Sequence, residues 1–254
     1  MGKSLIIPNA NFSENAIVIP LRFLLAANSS VELQNGDVYP SSGTTDADTY
    51  FEVMDEDDVP IYNIFAVGTG DGSPNVKEAA INLTTKRIYT NLFNACTGLT
   101  RAKVTAKCKT DIKNMFLSCG ALKYADITGL DITGVQSINV MFRDCRVLED
   151  ILFGTKDFSN VITFKELFVR CFRLKNISGN ISGLGAATLT ENAMLDLSAC
   201  SLLTRESARV LINGLASSSD GYTRTILFHQ STYNLLSSSD KSAITSAGWI
   251  DGNA

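Results

Sequence analysis

Six cysteines, one histidine and a few acidic or glycine-rich runs are the residues of this chain that could carry chemistry. His229 stands alone, which excludes sites needing two imidazoles, most catalytic zinc sites among them. It ends a segment that reads as a strand, and no partner set for a catalytic base accompanies it, so it reads as a hydrogen-bonded structural histidine. Cys96, Cys119, Cys145 and Cys171 share one position of a recurring motif. In a stack they would form a column about 5 Å apart, near enough for a bridge. Cysteine is also a small, readily buried apolar residue, and a reduced structural column is the reading adopted. Cys108 lies outside that register and is the candidate reactive thiol. No Cys-x-x-Cys pair is present to hold zinc. Asp55, Glu56, Asp57 and Asp58 could offer carboxylates to a calcium ion, but EF-hand spacing is missing and a solvated acidic turn is expected. Gly68, Gly70 and Gly72 do not make a dinucleotide fingerprint, whose third glycine would fall at Ser73, nor a phosphate loop, which needs Gly-Lys-Ser/Thr. The chemistry these residues support points away from an enzyme, and no cofactor is expected.

What positions the cysteines is an internal repeat. Phe-x-x-Cys-x-x-Leu occurs at Phe93/Cys96/Leu99, Phe116/Cys119/Leu122, Phe142/Cys145/Leu148 and Phe168/Cys171/Leu174, with successive cysteines 23, 26 and 26 residues apart. The residue before each Phe is apolar (Leu92, Met115, Met141, Leu167), and so is the fourth before it (Tyr89, Ile112, Ile138, Phe164). That i, i+3, i+4, i+7 spacing predicts a short helix with one face inward. Downstream, Leu-x-x-apolar-x-apolar continues through Ala102/Val104, Ala125/Ile127, Ile151/Phe153 and a weaker Ile177/Gly179, the strand grammar of leucine-rich repeats. One such unit cannot bury its own apolar face; stacked units can, with their strands side by side in a parallel sheet.

The motif at a 26-residue period, with Asp157-Phe158-Ser159-Asn160-Val161 between units, resembles the bacterial surface protein repeat of the BspA-like leucine-rich repeats. The resemblance covers about residues 86–200, and the first and fourth repeats depart from the pattern. It implies a curved solenoid, a binding or adhesion role, a location at a cell surface or on a virion, and no shared catalytic residues. The ending around Ser238-Ser239-Asp240 and Gly248-Trp249 is similar to caps in leucine-rich proteins of gut bacteria and their prophages. The opening, from Met1 through Ser13, resembles the start of some phage-tail or prophage-associated proteins. The expected fold is α/β: a leucine-rich-repeat solenoid with a short helix plus a short strand per repeat and a parallel sheet, a β-rich N-terminal region and an α/β C-terminal cap.

The 254 residues are 45% apolar and 19% charged, a globular composition of one to two domains. Residues 1–80 lack the repeat and hold 3 Lys/Arg against 12 Asp/Glu, whereas residues 86–123 hold 8 Lys/Arg against Asp111 alone. Within 1–80, Asn35-Gly36 is a hairpin signal between strand candidates at 31–34 and 38–39, with further candidates at 50–54 and 59–67. The repeats occupy 81–200. In the cap, 201–254, Thr204 is a good N-cap with Glu206 in the first turn. Ala208, Leu211, Ile212 and Leu215 then form one helical stripe. Residues 180–192 read as a loop and 194–198 as a strand. Residues 225–228 read as another strand and 239–247 as a helix stopped by Gly248, with Trp249 folding back on it. The apolar run at 16–27 contains Pro20 and Arg22; it is too short to cross a bilayer and makes a poor signal peptide, so no membrane insertion is expected.

In the predicted strands the residues flanking the buried positions turn to the opposite sheet face. These are Arg101 and Lys103, Tyr124 and Asp126, Asp150 and Leu152, Asn176 and Ser178. They would form a two-column strip on the concave surface, whose mixture of charge, aromatic and exposed leucine suits a protein or glycan ligand. The alternative is a structural component of a phage or prophage tail-like particle, self-associating through an acidic N-terminal region docked on a neighbour's basic first repeats. Nucleic acid is not expected: net charge is −4, and the aromatics interleaved with the basic segment (Tyr89, Phe93, Phe116) read as buried.

Overall fold

The computed structural model describes residues 76–254 and, ahead of them, the strands β1 (Ser4–Ile7), β2 (Arg22–Leu25), β3 (Val31–Glu32), β4 (Val38–Tyr39) and β5 (Thr49–Val53). Five further strands follow: β6 (Val76–Arg87), β7 (Arg101–Cys108), β8 (Tyr124–Asp131), β9 (Asp150–Asp157) and β10 (Asn176–Ser182). With β1, β5 and β2 they make an eight-stranded sheet in the order β1-β5-β2-β6-β7-β8-β9-β10. Its β6 to β10 half is entirely parallel, and β2 joins β6 antiparallel. A second parallel sheet, β11-β12-β13, is built from β11 (Ala193–Leu197), β12 (Arg224–Phe228) and β13 (Ile250–Asp251). The helices are α1 (Arg205–Asn213), α2 (Gln230–Tyr233) and α3 (Ser238–Ser246). The fold is therefore α/β, with five- and three-stranded parallel sheets and few helices among the described residues.

Val31 pairs with Tyr39 and Glu32 with Val38, the hairpin that Asn35-Gly36 signals. β5 is the strand expected near 50–54. The acidic run at 55–58, the strand expected at 59–67 and the glycine-rich 68–73 lie outside the described residues. β6 runs across the composition boundary near residue 80.

The strands begin where the repeat grammar places them and run further. β7 alternates outward Arg101, Lys103 and Thr105 with buried Ala102, Val104, Ala106 and Cys108. β8 carries one residue more than β7 between the Lys103–Asp126 and Thr105–Gly129 pairs. β9 carries one more than β10, and Gly154 at φ 68 absorbs that bulge.

The short helix expected in each unit does not form. The N–H groups of Asn91, Phe93 and Ala95 donate to the carbonyls of Lys113, Met115 and Leu117 in the next unit, at 3.2, 2.8 and 2.7 Å. Asn114, Phe116 and Ser118 repeat the pattern onto Asn139, Met141 and Arg143, and Val140, Phe142 and Asp144 onto Lys165, Leu167 and Val169. Those donors serve a second ladder between units, so they cannot close helical turns. Two residues per unit are left-handed, at φ between 51° and 62°: Asn91/Ala95, Asn114/Ser118, Val140/Asp144 and Glu166/Arg170. Repeated left-handed residues are incompatible with a right-handed helix. The step of three that suggested a helix is instead a pair of tight turns. Cys96 N–H donates to the Phe93 carbonyl at 3.0 Å and Leu99 N–H to the Cys96 carbonyl at 3.1 Å, and each later unit does the same.

Between the two ladders lies the core. Phe93, Phe116, Phe142 and Phe168 stack at centroid distances of 5.4, 5.3 and 6.0 Å with planes within 10°. The thiols of Cys119, Cys145 and Cys171 donate to the carbonyls of Phe93, Phe116 and Phe142 at 2.9, 3.0 and 3.0 Å. Each of these phenylalanine carbonyls thus takes an N–H from its own unit and an S–H from the next, so both lone pairs are used among fully buried residues.

After the fourth repeat the chain closes its layers differently. β10 extends through Ser182 into the stretch expected as loop, and β11 is the strand expected at 194–198. Leu197, Cys200 and Leu203 repeat the two turns, at 2.9 and 3.2 Å, but a helix follows instead of a strand. The start of α1 covers the edge of β10: Thr204 N–H and the Ser207 hydroxyl donate to the Lys175 carbonyl, and Ile177 N–H donates to Ser207 Oγ. A covered edge cannot recruit a further strand. Thr204 caps α1, and Ala208, Leu211, Ile212 and Leu215 are buried as the stripe predicts. α3 starts one residue early, on a capping box of Ser237 and Asp240. Gly248 stops it at φ 78, and Trp249 folds back, donating from Nε1 to the Ala216 carbonyl at 2.6 Å.

Candidate functional site: the outward face of the parallel sheet

The strip residues fall into register across the strands. Arg101, Tyr124, Asp150 and Asn176 form one column, and Lys103, Asp126, Leu152 and Ser178 the other. Parallel strands set neighbours in each column about 4.8 Å apart. Arg101, Asn176 and Ser178 are exposed; Lys103, Tyr124, Asp150 and Leu152 are half-buried. Contacts cross from strand to strand. The Arg101 guanidinium lies 5.0 Å from the Tyr124 ring centroid, Lys103 Nζ lies 3.6 Å from the Asp126 carboxylate, and Asn176 Nδ2 donates to Asp150 at 2.7 Å. Asp126 differs from the others, being 8% exposed and accepting from the Thr128 N–H and hydroxyl at 3.0 and 2.7 Å. It holds the bulge of β8 as well as facing the strip.

The face is larger than the sequence reading allowed. Half-buried Glu78 of β6 stands opposite Arg101 and continues that column onto a fifth strand, whereas Ala80, opposite Lys103, is buried and ends the other. The later halves of the strands add exposed Lys107, Asp131, Asp157 and Ser182. The signal for these was the alternation running on through Val104, Ala106 and Cys108, beyond the five-residue grammar. Beyond the Asp126–Leu152 pair, however, β8 and β9 are no longer paired, and a cleft of about 210 Å³ opens between Leu130–Thr133 and Thr155–Asp157. A shallower hollow of about 450 Å³ adjoins it, sharing Thr133 and Asn160.

The cysteines contribute packing. Burial, with neighbouring thiols adding to it, pushes Cys119 and Cys145 well above the ordinary range; burial and then Asp196 push Cys200 up to about 12. Cys108, the candidate reactive thiol, is fully buried, which removes the access such a thiol needs. His229 caps α2, its Nδ1 accepting from Ser231 N–H at 3.1 Å. Among the described residues no three His, Cys, Asp or Glu are grouped to share a metal ion, and no helix is long and apolar enough to cross a membrane. Compared with protein-family models, curated proteins and solved structures, the chain matches none.

Proposed function

We propose that the chain is a non-catalytic binding or adhesion module, a BspA-like leucine-rich-repeat solenoid that recognises a protein or glycan on the outward face of β6 to β10. The observation that carries this reading is the register: chemically varied side chains stand in two straight columns on a rigid, parallel scaffold. Stacked Phe and Cys columns beneath support the repeat geometry. A guanidinium on an aromatic ring, a carboxylate–amide pair and a half-buried leucine give charge, flat apolar surface and hydrogen bonds along one line. That combination suits an extended protein segment or a saccharide more than a phosphate backbone.

The test is a screen on glycan and surface-protein arrays, followed by the Tyr124→Ala/Asp150→Ala double variant on whatever binds. Asp126 is left intact because it supports the bulge. The variant is expected to lose affinity by about tenfold or more while keeping its circular dichroism. Undiminished binding, or no ligand on either array, counts against the strip.

A further inference from the structure

Lys156 occupies a position that its neighbours fill with apolar side chains. It pairs in register with Ile181, and Leu130, one repeat length earlier, is buried opposite Ala106. Lys156 is itself only 4% exposed. A buried lysine is ordinarily paired with a carboxylate. Here Nζ donates to two backbone carbonyls, Thr128 at 2.9 Å and Thr155 at 3.4 Å, and no carboxylate among the described residues forms an ion pair with it. The amine stands at the place where β8 and β9 part, in the lining of the 210 Å³ cleft, with Asp131, Thr133, Asp157 and Asn160. Burial lowers its proton affinity; Asp126, Cys108 and Asp131 act in the opposite direction and are outweighed. Relative to a surface lysine, more of it is the neutral amine near neutral pH, and the neutral amine is the nucleophile.

We infer that the cleft between β8 and β9 is a site for a small aldehyde or ketone, which Lys156 captures as an imine. The nitrogen lone pair attacks the carbonyl carbon and the C–N bond forms. The two amine protons leave with the carbonyl oxygen as water while the C=N bond forms, with no change of oxidation state. Two carboxylates in the lining, Asp131 and Asp157, disfavour an anionic carbonyl compound and favour a neutral one.

The test uses the intact protein with acetaldehyde and cyanoborohydride, mapping alkylated lysines by peptide mass. Near pH 7, Lys156 is expected to be modified several-fold faster than exposed Lys165 and Lys175. The ratio should fall toward parity at about pH 10, where surface amines also lose their protons. Glyoxylate, an anionic aldehyde, should label Lys156 relatively less than acetaldehyde does. Lys156→Arg keeps a donor for the Thr128 carbonyl and should remove this product alone. Labelling of Lys156 no faster than Lys175 near pH 7, labelling only after unfolding in urea, or a preference for glyoxylate would each overturn the site, leaving the amine as a strut across the split.

Discussion

The repeat units and the layers that follow them close the same kind of parallel stack with different bonds. In the repeats, backbone ladders run along both sides of the core, and side chains at the left-handed turn positions vary freely among Asn, Ala, Ser, Val, Asp, Glu and Arg. Identity is demanded only inside, where like residues lie on like. In the C-terminal layers β11 and β12 are 31 residues apart, and the helices occupy the added length. There side chains add joints to the backbone ladder of β11, β12 and β13. Arg224, nearly inaccessible, bonds the Asp220 carboxylate, the carbonyls of Gly185, Ala187 and Tyr222, and the Ser218 hydroxyl. Gly185, at φ 90, lets that chain pass; a Cβ there would meet the Ala216 carbonyl at 2.6 Å. A translational repeat can satisfy its backbone by copying itself, whereas a terminal layer must bring its own donors and acceptors.

The largest expected effect lies in the repeats. Phe142 is fully buried between Phe116 and Phe168, so Phe142→Ala should cost about 3–5 kcal/mol. Because the column runs through every repeat, urea transitions followed by circular dichroism and by the single tryptophan, Trp249, should move together. Arg224→Met should behave differently. It strands a buried carboxylate and several carbonyls next to Trp249, whose ring lies within 2.8 Å of a Cβ placed at Gly185. The fluorescence transition should then fall to lower urea than the dichroism transition, and adding Asp220→Asn should recover part of the loss. Coincident transitions in the Arg224 variant would erase the distinction between the two regions.

Much of this contrast was legible in the sequence. The spacing of Phe, Cys and Leu located the column because each interval is one turn closure. The pairs from Arg101/Lys103 to Asn176/Ser178 were legible because strand alternation and repeat length together fix both face and register. The helix was misread because an i, i+3, i+4 pattern serves turns as well as helices; only the left-handed φ of residues such as Val140 and Glu166, types that rarely adopt it, separates them. The thiol's role as a donor to the preceding unit was not legible, since burial alone explains a cysteine column. Lys156 left a faint signal, standing one repeat length after Leu130 in an apolar column. Arg224 left less, lying one residue ahead of the strand expected there.

Acid should separate the regions by the smallest margin. Burial alone would raise the Asp240 carboxyl, but the Ser237 N–H, the Arg205 guanidinium and the Ser237 hydroxyl outweigh it and hold it at about 2. Arg209 adds a contact at 3.4 Å. The folded value lies below the unfolded one, near 4. The ionised form therefore stabilises the native state fully above about pH 4, and that contribution fades as pH falls through about 2. Asp240 joins α1 to the N-terminus of α3, while the stacked Phe and Cys core of the repeats contains no carboxylate. Lowering the pH across that window should therefore weaken the Trp249 transition more than the dichroism transition. Asp240→Asn should remove part of that excess, since the amide keeps the shape and cannot ionise; the rest belongs to the buried Asp220–Arg224 pair, whose carboxyl is held lower still by the guanidinium hydrogen bond. An excess undiminished in the Asn variant would place the whole acid-sensitive joint at that pair.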